Sequence, residues 1–167
     1  DSHYDTISAF IKSMRGGDDD ATLHYLARMI KAGEDPMFIA RRMLVFASED
    51  IGNARPTAMV LATSCMQAVS MIGMPESQLI LAQTATYLAT CPKSIASTEG
   101  IFSALSDLEK YGPDSIPLHL RNAPTSLMES LGYGKSHVRY PWQEEKKGKK
   151  VNQSYLPEKY RGKRYYK

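Results

Sequence analysis

Apolar side chains recur at helical spacing through the first 112 residues, broken by short polar joints, and predict six helices. Ile7, Phe10, Ile11 and Met14 return at intervals of three and four between His3 and Met14, and Gly16-Gly17 stops that helix. Asp18, Asp19 and Asp20 open a second one, where acidic side chains offset the positive end of the helix dipole. Leu23, Leu26, Ala27 and Ile30 form its inner stripe, and Gly33 ends it. Asp35-Pro36 is an N-cap followed by proline at the first helical position, where its missing N–H costs nothing. The helix it starts, Pro36 to Ile51, leaves only a narrow polar stripe around Arg41, Arg42, Ser48 and Glu49. So wide an apolar arc needs neighbours on more than one side, and Phe38, Met43 and Phe46 are candidate contacts between copies of the chain.

A fourth helix, Thr57 to Ile72, is apolar nearly all round and is expected to run through the centre of the bundle. Met74-Pro75-Glu76 starts a fifth, which Cys91-Pro92 closes, and a sixth spans Pro92 to Tyr111 before Gly112-Pro113. No β-branched alternating run of strand length precedes residue 113, so the predicted class is all-α, a bundle of about six helices.

Past Pro113 the pattern changes. Leu118 and Leu120 alternate with His119 and Arg121, which suits an extended or single-turn segment; Pro124 then starts a short helix, Thr125 to Leu131, ended by Gly132. Here Pro117 and Pro124 set the chain's path, Leu118 and Leu120 are expected to pack inward, and Arg121 and Asn122 to satisfy nearby backbone groups. Leu118, Leu120, Arg121 and Asn122 complete the candidate oligomer interface. From Gly134 periodicity fades. Lys146-Lys147-Gly148-Lys149-Lys150 reads as a solvated loop, and Tyr155, Tyr160, Tyr165 and Tyr166 as anchors of an irregular strap lying back on the helices. The expected organisation is a helical region, 1–134, and a basic strap, 135–167.

Charge sharpens that division. Residues 1–134 hold 10 Lys and Arg against 15 Asp and Glu, whereas residues 135–167 hold 11 against 3, so a net +3 conceals an acidic body and a strongly basic tail. Aromatic side chains, Tyr140 and Trp142 among them, alternate with the cations. Such a mixture suits phosphates and exposed bases, with Lys146, Lys147, Lys149, Lys150, Arg161, Lys163 and Arg164 as candidate nucleic-acid contacts. The same lysines also make an ordinary solvated loop.

Catalytic chemistry finds little support. The phosphate-cradling loop of nucleotide hydrolases is missing, and Gly16-Gly17 and Gly132-Tyr133-Gly134 read as helix stops. His3, His24, His119 and His137 are scattered without metal-ligand spacing, and Asp18 to Asp20 read as a cap rather than a hard-cation site. Ser136-His137 lacks a strained nucleophile turn. Cys65 and Cys91 sit in apolar helical patterns as buried, reduced thiols, and no apolar run reaches membrane-spanning length, so a soluble intracellular chain is expected. The nine methionines read as core filler, with an adaptable partner groove as the alternative. No catalytic, cofactor-binding or metal-binding residue is assigned.

Several blocks together resemble one family: "HYDTISAFIKSMRG" (3–16), "YLARMIKAGEDPMFIARRMLVFASEDIG" (25–52), "GMPE" (73–76), "LAQTATYLATCPKS" (81–94), "PLHLRNAPTSLMESLGYGK" (117–135) and "YLPEKYRGKRYY" (155–166). They look like the C-terminal part of the AAA+ ATPases called replication-associated recombination protein A or MgsA, whose eukaryotic relative is the Werner-helicase-interacting protein. The resemblance implies an all-α, clamp-loader-collar-like region through which the parent assembles as a homotetramer. It places the parent's ATPase and lid domains, with ATP and Mg, before residue 1. DNA with single-strand/double-strand junctions and single-strand-binding protein are the implied partners, and the cytoplasm of bacteria or the nucleus of eukaryotes the implied compartment. The leading expectation is a non-catalytic assembly domain acting at replication forks. Its rival is a DNA-binding module acting through the basic tail.

Overall fold

The computed structural model describes residues 2–167. Among them are eight α-helices and no strand: α1 Ser2–Arg15, α2 Asp19–Lys31, α3 Pro36–Phe46, α4 Thr57–Ile72, α5 Ser77–Thr90, α6 Ala96–Tyr111, α7 Ser126–Ser130 and α8 Pro141–Lys146. The all-α class is therefore observed. Packing divides the chain within α6, between Ser103 and Ala104: one compact unit holds the chain up to Ser103 with Tyr165–Lys167, the other holds Ala104–Arg164. The boundary expected at residue 134 lies inside the second unit.

In the first unit the caps do what their chemistry dictates. Asp18 Oδ1 accepts from the amide of Ala21 at 2.9 Å, and Asp35 Oδ1 accepts from that of Met37 at 2.9 Å, each satisfying a helix-start N–H with no intrahelical partner. The five helices α1–α5 close around Phe10, Met14, Leu26, Ile39, Met43, Phe46, Leu81 and Leu88, all with essentially no exposed surface. Burying a leucine such as Leu81 contributes about 1.5–3 kcal/mol.

Two expectations fail here. The helix at the centre is α5, which packs against α1, α2, α3 and α4; α4 lies at the edge, touching α3 and α5. The inner stripe of α4 is Ala58, Ala62, Cys65 and Val69, mostly small residues, whereas its large ones, Met59, Val60, Met71 and Ile72, are exposed. Nor does the third helix reach Ile51 as α-helix. It ends at Phe46, widens into a π-helical turn over Ala47–Ile51 and tightens into a 3-10 turn over Gly52–Ala54. The carbonyls this turn releases are taken up from afar: Thr98 Oγ1 donates to that of Glu49 at 2.9 Å, and the amide of Ser94 donates to that of Asp50 at 2.9 Å. The buried Asp50 carboxylate meets Arg15, Nε to Oδ1 at 3.2 Å. Gly52 has φ 50, and a side chain there would approach the Ser94 carbonyl to 3.0 Å, so the turn requires glycine.

The start of α5 at Ser77 and of α6 at Ala96, both later than expected, leaves short irregular joints at 73–76 and 91–95. Gly100 is the buried residue of α6, and the backbone of Tyr165 lies directly over it. Asn53 Nδ2 reaches the hydroxyl of Tyr166 at 3.3 Å. In the second unit the strap is pinned at Tyr160, buried, whose hydroxyl donates to the carbonyl of Gly112, and at Lys163, 3.4 Å from Asp107. Tyr155 and Tyr166 are more than half exposed, so two of the four expected anchors do not bury their rings.

Candidate functional site

In the first unit the outer surface of the α4–α5 hairpin lacks charge. From Thr57 to Pro92 the sole ionisable acid or base among Asp, Glu, Lys, Arg and His is Glu76, although charged residues make up 23 % of the chain. On the solvent side of α4 stand Val60, Ser64, Gln67 and Met71, and on that of α5 Leu79, Gln83 and Thr90. Met71 is 80 % exposed, Leu79 69 % and Val60 62 %. An exposed helical surface of large apolar and small uncharged polar side chains is the composition of interface cores, where charged residues are depleted. In this unit Ile101 and Phe102 of α6 are exposed too; Leu105 and Leu108, exposed further along the same helix, belong to the second unit.

The second unit carries a cleft of about 950 Å³ whose lining includes Lys135, Arg139, Lys149 and Lys150 against a single carboxylate, Glu144. Three connections fix its walls. The amide of Gly134 donates to the carbonyl of Leu118 at 2.8 Å, His119 Nε2 donates to the carbonyl of Ser154 at 2.7 Å, and Gln153 clasps Val138 on both sides. In that clasp Oε1 accepts from the Val138 amide at 2.9 Å and Nε2 donates to its carbonyl at 3.2 Å. Short helix α8, absent from the expected loop, positions Glu144 between Lys149 at 3.3 Å and Lys147 at 3.7 Å. The hydrogen bond from Lys149, followed by the charges of Lys147 and Lys149, holds the Glu144 carboxyl below its ordinary range. Tyr140, at the cleft, meets Trp142 edge to face with ring centroids 5.4 Å apart, and the Arg139 guanidinium lies over Tyr140 at 5.2 Å.

The family model described as MgsA AAA+ ATPase C terminal matches residues 16–167. The chain belongs to that family. It is 44 % identical to replication-associated recombination protein A of Coxiella burnetii and 42 % identical to the protein of that name from Escherichia coli K12, over 99 % of its own length in each case. It is 39 % identical to the ATPase WRNIP1 of Dictyostelium discoideum over 99 % of its length. The chain spans 37 % of each of these two bacterial relatives and 19 % of the Dictyostelium one. The amides of Gly16 and Gly17 donate to the carbonyls of Lys12 and Met14, and those of Gly132 and Gly134 to Glu129 and Leu118, so each glycine N–H is already committed. Among the described residues there is also no group of three His, Cys, Asp or Glu placed to hold a metal ion, and no helix is long and apolar enough to cross a membrane.

Within this member of the MgsA C-terminal family, the sequence-predicted site residues scatter. Met43 and Phe46 lie in the core of the first unit and have no surface to offer a second copy; the arc that singled them out is satisfied by α4 and α5. Phe38 is half-buried against the same core, its ring 5.9 Å from that of His3. Leu118 is exposed rather than inward, Leu120 is half-buried, and Asn122 is exposed. Arg121 does satisfy backbone, donating from Nε to the Ile116 carbonyl at 2.8 Å, while its guanidinium lies 5.0 Å from the Tyr133 ring. Of the seven candidate nucleic-acid contacts, Lys149 and Lys150 line the cleft. Lys147 pairs with Glu144, Lys163 with Asp107, and Lys146, Arg161 and Arg164 are exposed outside the cleft. Sequence reasoning missed Lys135 and Arg139 in the cleft and the uncharged hairpin face. The second was readable as the long interval, Thr57 to Pro92, holding one charge.

Proposed function

We propose that this chain is the assembly region of an AAA+ ATPase acting in replication-associated recombination, and that it joins copies of the parent through the uncharged outer face of α4 and α5. The observation carrying the reading is that interval from Thr57 to Pro92, whose single charge is Glu76 while Val60, Met71 and Leu79 stand in solvent. Water-facing helices ordinarily carry charges on the face away from the core. Here that face has the composition of a contact between like subunits, and closed symmetric assemblies bury such patches against themselves. Four copies is the number the family resemblance implies. The chemistry of ATP and Mg is assigned to the parent's other domains, and the role of this region is to hold those domains together, with DNA as the shared substrate.

Leu79→Lys tests the reading. On an isolated subunit an exposed substitution changes stability by no more than about 0.5 kcal/mol. Placed in a closed interface, the new ammonium is an unpaired buried charge costing about 3–5 kcal/mol, enough to weaken association more than a hundredfold. Multi-angle light scattering should find the wild-type chain assembled and the variant dissociated with an unchanged helical spectrum. An assembled Leu79→Lys variant would move the contact elsewhere.

A further inference from the structure

We propose that the basic cleft of the second unit binds the backbone of a single-stranded nucleic acid, with Tyr140 and Trp142 as a stacking platform for its bases. The proposal does not depend on the assembly reading. It rests on where the fold brings its cations: Lys135 and Arg139, which precede α8, and Lys149 and Lys150, which follow it, line one cleft, with the Gln153 clasp on Val138 tying the two stretches together.

Charge decides the ligand's sign. Four cations face one carboxylate, and Glu144 is spent on Lys147 and Lys149. Lys135, Arg139 and Lys150 have no carboxylate within ion-pair distance among the described residues, so three positive groups converge on the cleft unneutralised. Folding that leaves like charges facing one another gains nothing for stability; an incoming polyanion relieves the repulsion.

Geometry and the aromatic pair decide its class. A cavity of about 950 Å³ is large for a lone anion and has room for several linked phosphates beside its lysine, arginine and amide groups. Tyr140 and Trp142 are 42 % and 57 % exposed, beside the cations, and Arg139 already stacks over Tyr140. Exposed rings next to phosphate-binding cations accept unpaired bases whatever the sequence, because every base has a π-face. A duplex hides its bases and offers those rings nothing to stack on. An acidic peptide would satisfy the cations and leave the rings unused. Hydrogen bonds within the chain hold the walls together, which limits the ordering that binding would require.

The test is fluorescence anisotropy of the 167-residue chain with fluorescein-labelled oligothymidylate. Three to four phosphate contacts imply that affinity falls roughly 20–50-fold between about 50 and 200 mM salt. The combined Lys135→Ala, Arg139→Ala, Lys150→Ala variant should lose most of that salt dependence, and Lys150→Arg should retain it. Trp142→Ala should weaken binding at least about fivefold without changing the salt slope, a separation of stacking from charge that a merely structural role would not produce. Lys31→Ala, in α2, should bind as the wild type does. Circular dichroism confirms that each variant is folded, and light scattering that its assembly is unaltered, so loss of binding and loss of assembly are read separately. Wild-type affinity in the folded triple variant would overturn the proposal. So would equal affinity for duplex of the same length, or displacement of the oligonucleotide by polyglutamate at matched charge.

Discussion

Replacing Gly100 with alanine sets two effects of known sign against each other. In a helix interior alanine is favoured over glycine by about 0.5–1 kcal/mol, because glycine has more backbone freedom to lose. At this position, however, the added Cβ would stand 3.0 Å from the carbonyl oxygen of Tyr165 and 3.4 Å from its carbon. Those are backbone atoms, unable to swing aside as the end of a side chain would, and overpacking of this kind costs about 1–3 kcal/mol. The clash wins, leaving a net loss near ~1 kcal/mol, or about 2–4 °C in Tm for a chain of this size. Ending the chain at Arg164 removes the clash and should reverse the sign, so that Gly100→Ala then stabilises by its helix-propensity gain. Thermal unfolding of the four proteins at one fixed concentration gives a cycle whose coupling term is the strap contact itself. Equal stabilisation in the full and shortened chains would refute the docking of Tyr165 on α6.

Three further outcomes follow from individual environments. Met43→Ala should destabilise the chain by about 2–5 kcal/mol in chemical denaturation while leaving its assembly intact, because the side chain is wholly inside one subunit; dissociation at unchanged stability would instead make it a contact residue. Asp114 Oδ2 accepts from the amide of Lys159 at 2.9 Å, and this bond, then that from Ser115, holds its carboxyl below the ordinary 3.8. A depressed folded value means that its contribution is complete above 3.8 and lost as pH falls through the lower folded value, so the Lys159 amide resonance should titrate there in the wild type and not in Asp114→Asn; an unmoved wild-type amide would contradict the contact. Burial pushes the Cys65 thiol above its ordinary 9.0, against the smaller opposing effect of the Thr84 hydrogen bond, and Cys91 is equally enclosed. Both should resist an aromatic disulfide reagent at mild alkaline pH until the chain is unfolded, and prompt reaction of either in the native protein would show an open site.

What could be read from the chain was local. Asp18 and Asp35 mark helix starts because a carboxylate needs only the next two or three amides, and Thr125 caps α7 by the same logic, 3.2 Å from the Met128 amide. What could not be read depended on partners distant in sequence. The π-helical turn exists because Ser94 and Thr98 collect its carbonyls, and no pattern within Ala47–Ile51 announces them. Composition cannot place α4, because an all-round apolar helix fits the centre or an edge; the stripe that packs is Ala58, Ala62, Cys65 and Val69, while Met59, Val60, Met71 and Ile72 face outward. The basic cleft was half legible: a lysine run was visible at 146–150, but Lys135 and Arg139 join it through folded contacts such as the hydrogen bonds of Gln153 to a residue fifteen positions away. Met43 and Phe46 mark the general difficulty, since a broad apolar arc looks alike whether its cover comes from the same chain or another.

Sedimentation equilibrium of the wild-type chain decides whether copies cover one another's uncharged α4–α5 surface. At micromolar concentration the expected mass is a multiple of 18.6 kDa that persists as salt is raised, because an uncharged contact has no ion pairs to screen. A single species of 18.6 kDa at every concentration would contradict it.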